Sequence, residues 1–418
     1  MRVFRRALIT IAATGISAGL SELLLLPGRY PRRRCVAVLG GGGGPVRAPR
    51  FAASLVMLAV LLLLTGVVAQ VMPAAAAVRT GSPGPVASFA VSGDLSDVAA
   101  TSASNAWAVG FTSSGTLIVR WNGTAWSRVS SPGSAGSSLY GVAATSSRDA
   151  WAVGSAGTKT LILHWNGTAW KQAPSPSLAG SLSSVAATSA SNAWAVGYTG
   201  GKTLIERWNG TAWKRVPSPS PGSGASLDGV AASSAGSAWA VGSTISGPSD
   251  NALIERWNGT AWKRVPSPDP GASQGLADYL GAVAVTPAGN AWTVGDDSCG
   301  CGPGSSVTEW WNGTAWKQVP SPTLGGGTLL SGVAAISAST AWAVGETGSG
   351  DGPTKTLTLW WNGSAWNRVS SPSPGASARL SAVAATSARN AWAVGSTSKV
   401  NHGSSETLIL HWNGTTWK

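Results

Sequence analysis

The chain has 418 residues, of which 11% are charged, less than half of the roughly 25% found in an average soluble domain. It contains 23 Trp but only four Phe, four Tyr and three Met, together with 55 Gly and 24 Pro. The lack of a Gly-X-Y period excludes collagen, the scarcity of Glu and Lys excludes a long coiled coil, and three Cys exclude a disulfide scaffold. Since 43% of the residues are hydrophobic, the composition is also not that of a disordered chain.

The net charge of +13 is concentrated at the N-terminus. Residues 1–77 contain nine Arg and one acid, a net of +8, whereas residues 78–418 contain 20 basic and 15 acidic residues, a net of +5. The basic excess therefore flanks an apolar segment, where it is typical of a topology signal. Because the remaining sequence has no basic stripe, we expect no nucleic-acid partner.

The apolar segment is an uncharged run of 21 residues, 51–71, which follows two arginines and precedes four alanines at 74–77. This order is typical of a signal peptide, and the run is also long enough to span a bilayer if it is not cleaved. We therefore expect 51–77 to be a signal peptide or a membrane anchor, and the body to be secreted or exposed at the cell surface. Residues 1–50 are interpreted as an N-terminal extension, which is not made if translation starts near Val46.

Seven repeats fill the rest of the sequence. Each contains the triplet Trp-Asn-Gly, a second Trp five residues after the first, and an earlier Trp within Ala-Trp-(Ala/Thr)-Val-Gly. These three positions account for 21 of the 23 Trp. The three series are Trp107, Trp151, Trp194, Trp239, Trp292, Trp342 and Trp392; Trp121, Trp165, Trp208, Trp257, Trp311, Trp361 and Trp412; and Trp126, Trp170, Trp213, Trp262, Trp316, Trp366 and Trp417.

Each repeat contains four short strand patterns. In the first repeat the predicted strands are 95–100, 106–110, 117–121 and 124–129. The Asn-Gly between the third and fourth predicts a two-residue type I′ turn, which would place Trp121 opposite Thr124. Four strands in each of seven repeats predict an all-β, seven-bladed propeller of four-stranded blades over 95–418. The three Trp of each blade would supply most of the area buried between neighbouring blades.

The repeat reads Ala-Trp-Ala-Val-Gly, a loop, and then His/Arg-Trp-Asn-Gly-Thr-Ala-Trp-Lys-x-Val-Pro-Ser-Pro. It resembles the kelch repeat and the Trp-rich propeller repeats of secreted bacterial proteins. Where kelch blades have a Gly-Gly doublet after the second strand, this chain has a single Gly, as at Gly110, Gly154 and Gly197. The resemblance implies an interaction platform. A few kelch-type propellers are copper-radical oxidases, but their Tyr, Cys and His ligands have no counterpart at matching positions here.

Closure of the ring is incomplete in the repeats themselves, because the last repeat ends at Trp417-Lys418 without the Val-Pro-Ser-Pro of most others. Either an earlier segment supplies the missing edge or the chain is truncated. We predict that segment 78–94 closes the ring. Residues 78–85 would supply the missing edge, and 86–91 the adjoining strand.

The loops between the second and third strands differ most among the repeats. They have six residues in repeats one to three and 10 to 12 in repeats four to seven, at 243–252, 296–306, 346–356 and 396–407. Because variable loops on a rigid scaffold often carry binding sites, we expect the ligand on this face, with neutral drift of the loops as the alternative. The candidate ligand-binding acids are Asp296, Asp297, Glu346 and Asp351. They favour Ca²⁺ only weakly, since no calcium-loop pattern is present, and no other cofactor or metal site is predicted.

Two Trp lie outside the three series. Trp310 and Trp360 occupy a position that holds Arg or His in the other repeats. They are candidates for an aromatic platform that binds a sugar ring, with packing between blades as the alternative. Cys299 and Cys301 are a candidate disulfide pair in an oxidising compartment.

Catalysis is not expected, because the repeats place no acid–base pair together. The polar exceptions of the innermost strands, Asp97, Tyr140 and Asp228, belong to three different repeats. The sequence therefore favours an exported, monomeric, non-catalytic binding propeller whose partner is a cell-surface glycan or protein, and which touches a membrane only through 51–71 if that segment is uncleaved. A glycan-processing enzyme on the same scaffold and a structural envelope protein are the alternatives.

Overall fold

A computed structural model describes residues 89–176, 178–246, 249–268, 278–297, 304–322, 324, 327–348, 352–398 and 405–418. In these residues 27 strands form six four-stranded sheets and one three-stranded sheet. Each sheet is one blade of a seven-bladed β-propeller, as the repeats predict. No helix of the described residues is long and apolar enough to cross a membrane. The predicted leader, including 51–71, lies outside them.

Blades one to three consist of β1 to β12, each blade paired antiparallel in chain order. Blade one contains β1 (Asp94–Ser102), β2 (Asn105–Thr112), β3 (Gly115–Trp121) and β4 (Trp126–Arg128). Blade two contains β5 (Ser137–Ser146), β6 (Asp149–Ala156), β7 (Lys159–Trp165) and β8 (Trp170–Gln172). Blade three contains β9 (Ser181–Ser189), β10 (Asn192–Thr199), β11 (Lys202–Trp208) and β12 (Trp213–Arg215).

Blades four to seven consist of β13 to β27. Blade four contains β13 (Gly224–Ser234), β14 (Ser237–Ser246), β15 (Ser249–Trp257) and β16 (Trp262–Val265). Blade five contains β17 (Tyr279–Val285), β18 (Ala291–Asp296), β19 (Ser306–Trp311) and β20 (Trp316–Gln318). Blade six contains β21 (Gly327–Ser337), β22 (Thr340–Gly348), β23 (Lys355–Trp361) and β24 (Trp366–Val369). Blade seven contains β25 (Ser377–Ser387), β26 (Asn390–Ser398) and β27 (Ser405–Trp412).

The second strand of each blade is buried on both faces, because each blade is covered by a neighbour on either side. In β2, Trp107 and Val109 pack against blade two, whereas Ala106 and Ala108 pack on the side that faces blade seven. All four are fully buried. A strand buried on both faces is expected to be continuously apolar rather than alternating, which explains the Ala-Trp-Ala-Val-Gly motif.

The turn between the third and fourth strands differs from the prediction. Trp121 pairs with Trp126 and not with Thr124, so the loop has four residues and the two-residue type I′ assignment is wrong. The Asn122 carboxamide oxygen accepts hydrogen bonds from two backbone N–H groups and from the Thr124 hydroxyl, at 2.8–2.9 Å. Such an Asx turn stabilises the loop locally, while Gly123 adopts a φ of 98°. The two Trp still share one face, because they are directly opposed across the hairpin.

The loop between the second and third strands of blade four is shorter than predicted. In blade four, most of the predicted loop 243–252 is strand, with Ser243 opposite Ala252 and Thr244 opposite Asn251. The additional residues lengthen the hairpin instead of forming an open loop, because they continue the ladder of backbone hydrogen bonds. The corresponding loops of blades five to seven fall partly outside the described residues.

The start of the described chain pairs with its last strand. Gly93 donates its backbone N–H to Ser405 O, and Thr407 donates to Val91 O, both at 2.9 Å. These bonds, with a β-bridge between Ser92 and Glu406, give the first half of β27 a partner on its outer edge. They join the two ends of the propeller.

The second half of β27 is paired by the end of the chain, where His411 and Lys418 exchange two backbone hydrogen bonds of 2.8 and 3.0 Å. Across the same junction, Arg379 of blade seven forms a 2.8 Å ion pair with Asp94 of blade one. The closing role predicted for 78–88 lies outside the described residues.

Candidate ligand-binding cleft between blades two and three

A cluster of three Trp joins every pair of neighbouring blades. At the first junction, Trp107 of blade one lies 4.9 Å from Trp165 and 5.2 Å from Trp170 of blade two, measured between ring centroids. The second contact is edge-to-face, at 87°, a geometry that aromatic rings favour. The ring closes in the same way, since Trp392 of blade seven packs on Trp121 and Trp126 of blade one.

The residue before each third-strand Trp covers this cluster, and we call it the lid residue. In blade one the lid residue is Arg120, whose guanidinium carbon lies 4.8 Å from the ring centre of Trp107 and 5.5 Å from that of Trp165. It also donates a 3.2 Å hydrogen bond to Ser147 O of blade two. An Arg lid therefore covers both sides of its junction by cation–π contact and hydrogen bonding. The lid residues in blade order are Arg120, His164, Arg207, Arg256, Trp310, Trp360 and His411.

Trp310 and Trp360 are thus the lid residues of blades five and six. Trp310 lies 4.8 Å from Trp292, and Trp360 lies 4.6 Å from Trp342. Both side chains are half-buried. The structure places them over two different clusters, each on the buried Trp of its own blade.

The predicted acidic residues occupy the ends of strands in two blades. Asp296 ends β18 opposite Tyr279 and Ser306, and Asp297 accepts a 2.6 Å hydrogen bond from the backbone N–H of Ser305. Glu346 is buried within β22. The described residues contain no group of three or more His, Cys, Asp or Glu that could hold a metal ion. Asp351, Cys299 and Cys301 lie outside the described residues.

The inner-strand acids are held in separate places. Asp97 accepts backbone hydrogen bonds of 2.8 Å from Val98 and from Val142 of the next blade. Burial raises its pKa to about 7, although these two bonds oppose the shift. Asp228 accepts a 3.3 Å hydrogen bond from Ser226 within its own blade, and burial raises its pKa to about 6. Asp97 therefore stabilises the contact between two inner strands.

A cleft of about 240 Å³ opens at the junction between blades two and three. Its lid residue is His164, which stacks on Trp151 at 4.1 Å and 24°. The imidazole is shorter than a guanidinium side chain, and the third-strand Trp208 is half-buried here, whereas Trp165 and Trp257 at the neighbouring junctions are 5% exposed. The residues that line the cleft are Trp151, His164, Lys171, Gln172, Ala173, Pro174, Trp208, Thr211 and Ala212.

The polar side of this cleft is preorganised by hydrogen bonds. His164 Nε2 lies 2.8 Å from Asp149 Oδ1, and the Thr145 hydroxyl donates to the other oxygen of Asp149. Lys171 is paired with His164 across β7 and β8, and it is exposed, as is Thr211. The cleft thus combines aromatic walls with several hydrogen-bonding groups at its rim. Small-ligand sites commonly combine these two features.

Sequence reasoning did not find this cleft, although the signal was present. The lid position varies among Arg, His and Trp, and the prediction followed the larger Trp side chains. The cleft instead opens beside the shorter side chain of His164. Which lid covers which neighbouring Trp depends on contacts between blades, and these are not visible in a single repeat.

These observations define the class of protein: a seven-bladed β-propeller whose blades are joined by Trp clusters. No family model matches the chain, and no curated protein matches it. Several solved structures are similar. YCF48 bound to a D1 peptide shares 17% identity over 77% of this chain and 98% of its own, with a TM-score of 0.50. The WD40 propeller domain of Doa1 shares 13% identity over 75% and 92%, with a TM-score of 0.50.

An ancestral GH74 enzyme shares 14% identity over 80% of this chain, with a TM-score of 0.52. This chain matches only 46% of that enzyme's length. The similar structures therefore include peptide-bound and WD40 propellers as well as a glycan-active enzyme. At these identities the likeness shows the fold alone, so the site must indicate the function.

Proposed function

We propose that this protein is an exported, non-catalytic propeller that binds carbohydrate in the cleft between blades two and three. The observation that carries the proposal is the half-buried Trp208 beside His164, within a cleft of about 240 Å³. A pyranose ring has an apolar C–H face that packs on an aromatic ring and a rim of hydroxyls that requires hydrogen-bonding partners. The cleft offers both kinds of surface.

The rim residues suit hydroxyl recognition. His164, Lys171, Gln172 and Thr211 present ring nitrogen, ammonium, amide and hydroxyl groups. The nearby carboxylate of Asp149 is already held by two partners, so it orients His164. This arrangement supports binding rather than acid–base chemistry.

Export is part of the proposal and rests on the sequence. The uncharged run 51–71, with arginines before it and alanines after it, has the order of a signal peptide. An exported location would place the cleft among cell-surface and extracellular polysaccharides.

A glycan array tests the proposal. The full-length chain is produced in an exporting host, and its binding is compared with that of His164→Arg. This variant places in blade two the lid residue of blades one, three and four, so we expect it to fold and to close the cleft. We expect wild-type protein to bind one class of sugar and the variant to lose at least tenfold in affinity. Trp310→Ala is the matched control, because it changes a lid residue at a different junction.

Each outcome has a distinct meaning. Equal binding by His164→Arg would overturn the assignment of the cleft, and loss of binding in Trp310→Ala alone would move the site to blade five. If the wild type binds no sugar, the carbohydrate proposal fails. A protein partner on the face of the variable loops would then be sought.

A further inference from the structure

A second junction repeats the geometry of the cleft. Among the seven lid residues only two are His, namely His164 and His411. His164 stacks on Trp151 at 4.1 Å and 24°, and His411 stacks on Trp392 at 4.2 Å and 25°. His411 belongs to blade seven, so its junction is the one that joins the last blade to the first.

The aromatic walls of the two junctions also agree. At the junction between blades two and three, the ring of Trp208 lies 5.0 Å from that of Trp151, at an interplanar angle of 52°. At the junction between blades seven and one, the ring of Trp121 lies 4.9 Å from that of Trp392, at 54°. Six cleft residues recur at the corresponding positions: Trp121, Thr124, Ala125, Trp392, His411 and Lys418.

The polar contacts are equivalent as well. Lys418 is paired with His411 by two backbone hydrogen bonds, as Lys171 is paired with His164. His411 Nε2 lies 2.8 Å from the Asn390 side-chain oxygen, which replaces the carboxylate of the first junction. Trp121, the third-strand Trp of blade one that packs on Trp392, is 6% exposed, whereas Trp208 at the first junction is half-buried.

The junction between blades three and four differs from these two junctions mainly in its lid residue. The junction between blades three and four has Trp194, Trp257, Lys214 and Thr260 at the corresponding positions, and Arg207 as its lid. The guanidinium lies 4.7 Å from the ring centre of Trp194 and 5.6 Å from that of Trp257. It therefore covers both rings of this junction by cation–π contact, whereas a His lid stacks on the Trp of its own blade.

We propose that the junction between blades seven and one is a second saccharide site, at the position that corresponds to the cleft between blades two and three. The propeller is then a bivalent carbohydrate binder. This inference rests on the proposed function, because the chemistry of the second site is taken from the first. Two sites on one rigid ring let a polysaccharide bind both at once, and such linkage raises affinity by about 10²–10⁴ over a single site.

The first test counts sites with a monovalent sugar. Methyl β-D-glucopyranoside, or the methyl glycoside of the hexose that the array selects, is titrated into full-length protein while the Trp indole N–H signals are followed by NMR. We expect two groups of signals to shift. His164→Arg should remove one group and His411→Arg the other, while each variant keeps its remaining site.

The gain-of-site control is Arg207→His. This variant gives the junction between blades three and four the same lid on the same Trp, Lys and Thr residues, and we expect a third group of shifted signals. On an immobilised polysaccharide, each single His→Arg variant should bind at least tenfold more weakly than wild type, and the double variant should not bind.

The outcomes separate the inference from the proposed function. If His411→Arg changes neither the shifted signals nor the affinity for polysaccharide while His164→Arg abolishes both, the second site is wrong and the first stands. If no sugar shifts any indole signal of the wild type, the proposed function fails and the second site fails with it.

Discussion

Two buried carboxyl groups lie two residues before the third-strand Trp, in blades three and four. Glu206 and Glu255 are fully buried, where blades one and two have Val119 and Leu163. Neither carboxyl group has a hydrogen-bond partner among the described residues. Burial raises the pKa of Glu206 to about 7, partly opposed by the charge of Arg215, and burial raises the pKa of Glu255 to about 8. Between pH 4.5 and about 7, both groups therefore hold a proton in the folded chain that the unfolded chain releases.

The pH dependence of stability follows from this difference. Between pH 4.5, the ordinary pKa of Glu, and pH 8, the unfolded chain loses the proton of Glu255 while the folded chain keeps it. The free energy of unfolding should fall by about 1.4 kcal/mol per pH unit for each such group. Urea unfolding at pH 5, 6, 7 and 8 measures this slope. Equal stability at pH 5 and pH 8 would contradict it.

Glu255→Leu introduces the side chain that blade two has at the same position. We expect it to stabilise the protein at pH 8 and to remove its share of the slope, because no ionisable group is then buried. Glu255→Gln is the control: it keeps the size and polarity of the side chain and removes only the titration. It should remove the same share of the slope without the gain from apolar packing.

At the scale of the strand, the Gly that ends each Ala-Trp-(Ala/Thr)-Val-Gly motif lies opposite a β-bulge of the inner strand. In blade five the pairing shifts between Leu280 and Ala282. The bulge brings the inner strand so close to Gly295 that a Cβ there would lie 1.7 Å from Tyr279 O. The same close approach occurs at the equivalent Gly of the other six blades: Gly110, Gly154, Gly197, Gly242, Gly345 and Gly395. This Gly is therefore required by packing within the blade.

Gly295→Ala should be among the most destabilising single substitutions in a blade. The clash is with backbone, which cannot move without breaking the ladder, so we expect a loss of at least about 2 kcal/mol. Gly313→Ala is the matched control, because that turn residue has a φ of 104° but open space around it. It should lose only about 1–2 kcal/mol through backbone strain. Denaturant unfolding of both variants measures the difference, and the reverse order would contradict the bulge argument.

At the scale of the whole molecule, six junctions are formed between blades consecutive in the chain and one joins its two ends. The closing junction has the same Trp cluster as the others. It adds the strand pairing of residues 91–93 and the contacts of Asp94, which pairs with Arg379 and accepts a hydrogen bond from Ser405. Asp94 of blade one therefore contacts both the inner strand and the third strand of blade seven, and so links the first blade to the last.

A double-mutant cycle measures the closing ion pair. The side chain of Asp94 is 11% exposed and that of Arg379 is 32% exposed, so the pair is partly shielded from water. We expect a coupling energy of about 1 kcal/mol between Asp94→Ala and Arg379→Ala. Arg389→Ala, in an exposed turn of the same blade, is the control and should show no coupling with Asp94→Ala. Zero coupling for both pairs would mean that the ion pair does not hold the ring closed.

The periodicity of the sequence correctly predicts the number of repeats, the four strands of each blade except the last and the shared face of the two hairpin Trp. These features repeat along the chain or depend on residues within one blade, so periodicity reveals them. The assignment of the Asn-Gly loop was wrong because Asn122 forms an Asx turn that a two-residue hairpin rule does not anticipate. The long loop predicted in blade four became strand because its residues could continue the hydrogen-bond ladder.

The contacts between neighbouring blades cannot be read from the repeat pattern. A lid residue covers the Trp of the next blade, more than 40 positions along the chain, and no single repeat contains both partners. The cleft beside His164 and the stacking of His411 on Trp392 both arise at these junctions. Burial and cavity volume at a junction depend on the side chains of two blades, which are far apart in the sequence.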